Sequence, residues 1–313
     1  MLGRKVLACL LSLGIGLGSL LCGAEPATDQ PAASGPQASE LSGRYLRLRR
    51  DAQDRPLALE TAVVRYTSAQ RPGLTVDLVA AIHVGDKSYY DALNRLFEEY
   101  EVVLYELVAP EGTRIPKGGR QGFSTHPVGM LQDGLSSLLG LEHQLRCVDY
   151  TRPNFVHADM SPEEFERAMQ QREESFSRLF LRLLGAGIAQ SAARKGPSDA
   201  ELLAALLAKN RAERLKTIMA EQFTSMDGVL AVLDGPQGSA ILSERNIRCL
   251  EVFSRQVAEG KRRIAIFYGA AHLPDMERRL AADYGLKATA TRWLTAWRLA
   301  TEDGPAAAVE RSP

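Results

Sequence analysis

Three side chains of types that bind metal ions each follow a short apolar segment of the sequence. His83 follows LTVDLVAAI, Glu106 ends EVVLYE, and His272 follows RIAIFYGAA. If these segments are parallel strands of one α/β sheet, their carboxyl ends open onto a single crevice. Two imidazoles and a carboxylate suit Zn²⁺, Mn²⁺, Co²⁺ or Fe²⁺, and such an ion makes water nucleophilic near neutral pH. The three residues are therefore predicted to be both metal ligands and catalytic groups. A purely structural interpretation stays open, since a histidine at a strand end often only donates a hydrogen bond.

Secondary candidates lie between the second and third of these segments. His157 and Asp159 stand just before a helix start at Ser161, where they could add ligands or a general base. The alternative is that both residues stabilise the entry into that helix. Asp149 ends another predicted strand, and its side chain could point into the crevice or lie at the surface.

Alternating and apolar segments predict the elements that must position these side chains. A hairpin comes first; a strand, a helix capped by Asp86 and a second strand then follow in the order of a crossover unit with parallel strands. The predicted elements are the hairpin strands 45–49 and 57–67, the strand 74–82, the helix 87–100 and the strand 101–106.

The second half of the chain predicts a helical insert in the sheet. The segment SPEE, which starts at Ser161, combines a capping serine, a proline at the first helical position and a glutamate at the third. We expect an α/β domain over residues 43–300 with a mainly parallel central sheet flanked by helices. Its insert, about residues 161–260, is predicted to cap the carboxyl ends of the strands. The remaining predicted elements are strands at 145–149 and 263–267, a turn at 269–273, a helix at 274–284 and β structure at 286–299.

Composition and missing motifs exclude several function classes. The 38 basic and 38 acidic residues cancel, so the chain has no electrostatic footprint for nucleic acid. It has no Gly-x-Ser-x-Gly, His-Glu-x-x-His or Cys-x-x-Cys motif, which argues against serine-hydrolase, zincin and thiolate-zinc sites. Gly118 and Gly119 lie in a loop that lacks the pattern of a phosphate loop, and the loop is interpreted as a flexible lid. Cys147 and Cys249 could pair or remain free thiols.

The first 24 residues have the layout of a secretory signal. Arg4 and Lys5 precede an apolar stretch, and small residues end at Ala24, after which cleavage is predicted. This predicts a periplasmic or secreted protein. A retained anchor and a lipoprotein acylated at Cys22 are the alternatives, and only these would give the chain a membrane partner. Pro, Ala, Ser and Gly predict a disordered linker at 25–42, and the tail 301–313 is similar.

The motifs taken together resemble those of the TraB/PrgY/GumN/TIKI superfamily. They are AAIHVGD at 80–86, EVVLYE at 101–106, ERN at 244–246 and GAAH at 269–272. The family has two Gly-x-x-His motifs, a glutamate after the second strand, and an arginine and an asparagine on a late helix. The match spans about residues 62–290 and departs from the pattern at Ala80, where the family usually has glycine.

The resemblance implies an α/β fold related to erythromycin-esterase-like and ChaN-like proteins and, for the TIKI branch, a metal-dependent protease. Carried over, His83, Glu106 and His272 are the metal or catalytic positions, Arg245 is a structural or oxyanion-stabilising partner, and Asn246 completes the late motif. We therefore expect a hydrolase acting on a peptide or peptide-like substrate. A non-catalytic protein that sequesters a peptide or another ligand is the alternative, and a haem- or iron-handling role is a third.

Overall fold

The structure is a computed structural model, and it describes residues 43–119, 139–174, 199–224 and 238–299. The predicted signal segment, the linker and the C-terminal tail lie outside these ranges. No helix in the described ranges is long and apolar enough to cross a membrane.

Within these ranges, a seven-stranded sheet forms the centre of the protein, and a separate two-stranded ladder joins β4 to β6. The path through the large sheet is β1-β2-β3-β8-β5-β7, with β9 paired to β2. The strands are β1 (Leu46–Arg50), β2 (Pro56–Thr67), β3 (Thr75–Ala81), β4 (Val84–Gly85), β5 (Val102–Tyr105), β6 (Glu142–His143), β7 (Phe155–His157), β8 (Arg263–Gly269) and β9 (Lys287–Arg298).

Four neighbouring strands, β3, β8, β5 and β7, run parallel to one another. Strands β3 and β5 are joined by a crossover but are not neighbours in the sheet. The late strand β8 lies between them and pairs with both. Ile264 to Ile266 in β8 are 0% exposed, as are Leu78 and Val79 in β3. Burial of both faces explains why these strands read as unbroken apolar runs. The expected α/β class with a mainly parallel sheet is confirmed.

The antiparallel part of the sheet is built on β2. The predicted hairpin is confirmed, because β1 pairs antiparallel with the first half of β2. β3 pairs with the second half of β2, and β9 runs along nearly its whole length on the opposite edge. The C-terminal β structure predicted at 286–299 is thus a strand that closes this side of the sheet.

Helices follow the strands and occupy the region of the predicted insert. Between residues 161 and 260, where the insert is predicted, every element in the described ranges is helical. The first turn of the helix Arg245–Ala258 reaches the carboxyl ends of the parallel strands. The helices are α1 (Lys87–Leu96), α2 (Gln144–Cys147), α3 (Pro162–Gln171), α4 (Asp199–Leu207), α5 (Arg211–Thr224), α6 (Arg245–Ala258) and α7 (Leu273–Tyr284).

Two local predictions are wrong. The segment predicted as a strand at 145–149 is mostly the short helix α2, with Leu145 43% exposed, and the fourth parallel strand is β7 instead. A short apolar run does not distinguish a strand from a turn of helix, so pairing decides. Asp86 stands at the start of α1 but its side chain does not cap the helix. Its carboxylate accepts hydrogen bonds from Lys216 Nζ and the Arg298 N–H.

Cys147 and Cys249 are free thiols. Cys249 is fully buried in α6, and burial raises the pKa of its thiol well above the usual value. A protonated, enclosed thiol is a poor nucleophile, and the two cysteines do not pair with each other in this structure.

Candidate functional site

The carboxyl ends of the four parallel strands carry the ionisable residues that the sequence singled out. Glu106 directly follows β5, and His83 lies two residues after β3. His272 lies three residues after β8, in the 3₁₀ turn Ala270–His272, and Asp159 lies two residues after β7. Since parallel strands end at one edge of the sheet, all four residues stand at the same edge.

The Glu106 carboxylate is the centre of the site. Its Oε1 accepts a hydrogen bond from Arg245 Nη2 at 2.7 Å and lies 3.5 Å from His272 Nε2. Its Oε2 accepts the Gly269 N–H at 2.7 Å. The glutamate thus joins the end of its own strand to the end of the neighbouring strand β8 and to the first residue of α6.

Gly269 explains the glycine of the late Gly-x-x-His motif. A Cβ atom at this position would lie 3.2 Å from Glu106 Oε2 and 3.7 Å from His272 Cδ2. Its φ of −49° is accessible to any residue, so the requirement is for space and not for an unusual backbone conformation. The missing side chain allows the Glu106 carboxylate to approach the backbone.

Arg245 balances two buried carboxylates. Its Nε and Nη2 donate to both oxygens of Asp159, at 3.0 and 2.6 Å, while Nη2 also reaches Glu106. Arg245 is 2% exposed and Asp159 is 3% exposed. One guanidinium against two carboxylates leaves an excess of one negative charge, and Nη1 donates to no acceptor in the described part of the chain. A further positive charge or a proton is therefore favoured beside this group.

The pKa of Glu106 is held well below its usual value. Burial alone would raise it, but the charge of Arg245, together with the interactions with His272 and His83, outweighs burial. The pKa of Arg245 is raised, because attraction by Asp159 and Glu106 exceeds the cost of its burial. The pair is therefore ionised over the whole physiological range of pH.

Asn246 fixes the tautomer of His272. Its Nδ2 donates to Asp275 Oδ2 at 2.8 Å and to the His272 carbonyl at 3.2 Å, and both of these atoms only accept hydrogen bonds. Asn246 Oδ1 must then be the atom that lies 2.7 Å from His272 Nδ1. The Nδ1 atom consequently carries a hydrogen, and in the neutral ring Nε2 presents a lone pair to Glu106 Oε1. This is the arrangement that orients metal-binding and general-base histidines.

Arg245 and Asn246 are placed by a π-helical turn, Ala240–Glu244, that leads into α6. Ser239 begins the turn, and its hydroxyl accepts the Leu242 N–H. Irregular helical turns of this kind are frequent at functional sites. Here the turn directs two consecutive side chains to different strand ends. Arg245 contacts the residues that follow β5 and β7, and Asn246 contacts the segment that follows β8.

His83 is the most accessible member of the predicted set. Its side chain is exposed, and its ring has no hydrogen-bond partner within the described ranges. Its backbone is held firmly: the His83 carbonyl accepts the Gln144 N–H at 2.9 Å, and the next carbonyl, of Val84, accepts Trp297 Nε1 at 2.7 Å. His83 therefore has a fixed main chain and an imidazole that is free to bind.

The secondary candidates divide into one site residue and two supporting residues. Asp159 is part of the buried charge group. His157 Nε2 contacts the Leu107 carbonyl at 2.6 Å, so its ring ties β7 to the segment after Glu106. Asp149 accepts hydrogen bonds from Thr151 and pairs with Lys117 at 3.2 Å, which makes it a loop residue and not a crevice residue.

The predicted three-ligand set is partly assembled. In the ranges that the structure describes, no group of three or more His, Cys, Asp or Glu side chains is arranged to hold a metal ion. Glu106 and His272 are brought together, while His83 does not complete a ligand group with them. The 3.5 Å between His272 Nε2 and Glu106 Oε1 does fit a shared ion, because two ligands of a tetrahedral ion are about 3.4 Å apart.

Sequence reasoning missed Gln144 and Tyr150. Gln144 is 5% exposed, and its Nε2 donates to the Tyr150 hydroxyl at 2.8 Å. Gln144 Oε1 is buried without a hydrogen-bond partner in the described structure. Only the unusual burial of a glutamine identifies this pair, and no sequence signal reports it.

Compared with known proteins, the chain matches no protein-family model, no curated protein and no solved structure.

Proposed function

We propose that this chain is an exported, divalent-metal-dependent hydrolase of the TraB/PrgY/GumN/TIKI type that cleaves peptide or peptide-like amide bonds. One observation carries the proposal: His272 Nε2 and Glu106 Oε1 face each other at 3.5 Å, with the His272 tautomer set by Asn246. Two acceptors at this separation need a cation or a proton between them.

The residues present fit a divalent ion in charge as well as in spacing. Glu106 and Asp159 exceed Arg245 by one negative charge, so a cation beside Glu106 is favoured. His272 Nε2 and Glu106 Oε1 would hold the ion, and the exposed His83, which does not complete a ligand group with them in the described residues, is proposed as the third ligand. An ion of the Zn²⁺, Mn²⁺, Co²⁺ or Fe²⁺ type supplies hydrolysis with a nucleophile, because it lowers the pKa of water.

The chain's own groups then have distinct tasks. Arg245 holds Glu106 in its ionised form and orients its Oε1. Its Nη1 is the donor left over for the negative charge that develops on an attacked amide carbonyl. Addition of water to that carbonyl carbon and release of the amine complete the reaction, with one proton transferred to the leaving nitrogen.

Metal retention tests this proposal. The purified protein is stripped with chelator, supplied separately with each of the four ions and washed, and the bound metal is measured by elemental analysis. We expect about one equivalent in the wild type and a loss of at least tenfold in affinity for His272→Ala. His143→Gln is the matched control, because it removes a histidine outside the predicted set. Absence of retained metal in the wild type contradicts the proposal.

A second candidate is a protein that binds a peptide without turnover. It is favoured by the fact that both Glu106 oxygens already have partners within the protein, Arg245 and the Gly269 N–H. A site satisfied in this way is stable without an ion. Under this function, the protein binds peptide equally well with and without chelator and releases no cleavage product.

A further inference from the structure

The pair formed by Gln144 and Tyr150 is a polar feature that the proposed reaction does not use. Both residues are buried, at 5% and 7% exposure. Their one mutual hydrogen bond leaves Gln144 Oε1 without a partner in the described structure, and the Tyr150 hydrogen likewise has no acceptor there. Buried polar atoms are nearly always hydrogen-bonded, so an unpartnered pair points to a ligand or an ordered water.

The pair lies beside the candidate site. The Gln144 N–H donates to the His83 carbonyl, which places Gln144 next to the loop that carries His83. The Tyr150 ring packs against Tyr105, the residue before Glu106, with ring centroids 5.1 Å apart. Burial first, and then the Glu106 charge among other causes, raises the pKa of Tyr150, so its hydroxyl is within electrostatic reach of that carboxylate. The two residues therefore lie next to the His83 loop and to the end of the strand that carries Glu106.

The pair offers one acceptor and one donor. As placed, Gln144 Oε1 accepts and the Tyr150 O–H donates. If the Gln144 amide is turned over, Tyr150 donates to Oε1 instead, and Nε2 becomes the free donor while the tyrosine oxygen accepts. In either orientation the ligand meets one of each.

We propose that Gln144 and Tyr150 bind the backbone of one extended residue of the polypeptide substrate, with that residue's N–H on the acceptor and its C=O on the donor. A carboxylate offers only acceptors and is repelled by the excess negative charge of the site, and an ammonium offers only donors. An extended residue presents a neutral N–H and a neutral C=O on the same side of its backbone, and these match both atoms of the pair. This inference rests on the proposed function, because it names how that site holds its substrate.

The decisive variant removes the whole polar pair. Gln144→Met/Tyr150→Phe keeps the shape of both side chains and leaves no buried polar atom without a partner, which is close to neutral for folding. The probe is fluorescein-labelled, unfolded casein. Binding is measured by fluorescence anisotropy, turnover by the release of small labelled fragments, and stability by the melting temperature.

We expect casein to bind at least about tenfold more weakly to the double variant, and KM to rise by a similar factor. We expect kcat to stay within about threefold and the melting temperature to be unchanged or higher. Tyr100→Phe is the matched control: Tyr100 lies two residues before β5, and the variant removes its buried hydroxyl, which donates to Asp77 in β3. It should lower the melting temperature and leave casein binding unchanged.

Each other outcome has a definite meaning. If the double variant melts lower but binds casein normally, the pair only holds a structural water, and the inference is wrong. A wild-type protein that binds no casein at all also overturns it. If the wild type binds casein without cleaving it, and the double variant loses that binding, the proposed binding of substrate backbone by Gln144 and Tyr150 is supported. Only the hydrolase proposal then fails.

Discussion

Arg245 is the residue on which the charge balance of the site depends. It is the cation shared by Glu106 and Asp159, and all three side chains are at least nine-tenths buried. Removing one partner from a buried ionic group leaves charge without compensation, which costs about 3–5 kcal/mol. We therefore predict that Arg245→Met lowers the free energy of unfolding by this amount, measured by urea denaturation.

The control for this prediction is an exposed ion pair. Lys87 and Asp91 pair at 2.8 Å on the surface of α1, and such solvent-exposed pairs contribute very little to stability. Lys87→Met should therefore change stability very little. A loss of similar size in both variants would show that Arg245 is not held in the buried arrangement described here.

Gly269 gives a prediction about space. In Gly269→Ala the new Cβ would lie 3.2 Å from Glu106 Oε2, which cannot retreat without lengthening its hydrogen bonds. We expect overpacking to cost about 1–3 kcal/mol of stability. Displacement of Glu106 should reduce casein cleavage by tenfold or more, because misplacement of a reacting group is costly. Full activity in this variant would mean that the close approach of carboxylate and backbone does not matter.

The site residues that sequence could identify are those that follow recognisable strands. Glu106 and His272 are two of these, and the structure brings them together. Arg245 came only from the resemblance to a family, since nothing in its surroundings marks a buried arginine. Gln144 and Tyr150 could not be found, because their meaning lies in a contact between a short helix and the loop after it.

The start of α3 is an element whose stability has a local cause. Ser161 and Glu164 form a capping box: the Ser161 hydroxyl accepts the Glu164 N–H, and the Glu164 carboxylate accepts the Ser161 N–H. We predict that Ser161→Ala lowers the free energy of unfolding by about 1 kcal/mol. The loss is measured by thermal denaturation. Because Asp159 lies two residues before Ser161, the variant should also bind metal more weakly than the wild type. Ser254→Ala, whose hydroxyl bonds to the Leu250 carbonyl in α6, is the comparison and should cost less.

Helix α5 is connected to the His83 loop through one ion pair. Lys216 Nζ donates to Asp86 Oδ1 at 2.9 Å, and both side chains are largely buried. Hydrogen bonds to charged groups contribute about 1.5–3 kcal/mol, so we predict a loss of that order for Lys216→Met. Hydrogen exchange should speed up at the amides around Asp86 and at Arg298, whose N–H donates to the same carboxylate. Lys209→Met, at an exposed position, should leave exchange unchanged; equal protection in both variants would contradict the connection.

At the scale of elements, the sequence predicted the hairpin, the crossover from β3 to β5 and the strand β8 because each has a clear period or a long apolar run. It did not predict β7, which is three residues long and only half-buried. It also could not give the order of the sheet. The position of β8 between β3 and β5 depends on long-range pairing that no local pattern records.

The whole molecule assembles the site from distant parts of the chain. Glu106 and Arg245 are 139 residues apart in sequence, and Arg245 and Asp159 are 86 apart. The site therefore exists only when the parallel strands and α6 have packed together. This coupling means that the protonation of a single site residue should be visible in the stability of the complete fold.

Acid titration tests this coupling. The pKa of Glu106 in the folded protein is well below its unfolded value, which is about 4.3. In the window between the two values, the unfolded chain binds a proton that the folded chain does not, so stability falls as the pH is lowered through it. The stabilisation is fully present above the unfolded pKa. We predict that the free energy of unfolding of the wild type falls more steeply below about pH 5 than that of Glu106→Gln.

Other carboxylates with lowered pKa values, such as Glu277, are common to both proteins, so the difference in slope isolates Glu106. The measurement is urea denaturation at a series of pH values, with the two curves compared after subtraction of their offset at neutral pH. Parallel curves would mean that Glu106 is not ionised against Arg245 and His272 in the folded protein. The charge balance would then fail, and with it the reason for a cation at the carboxyl edge of the sheet.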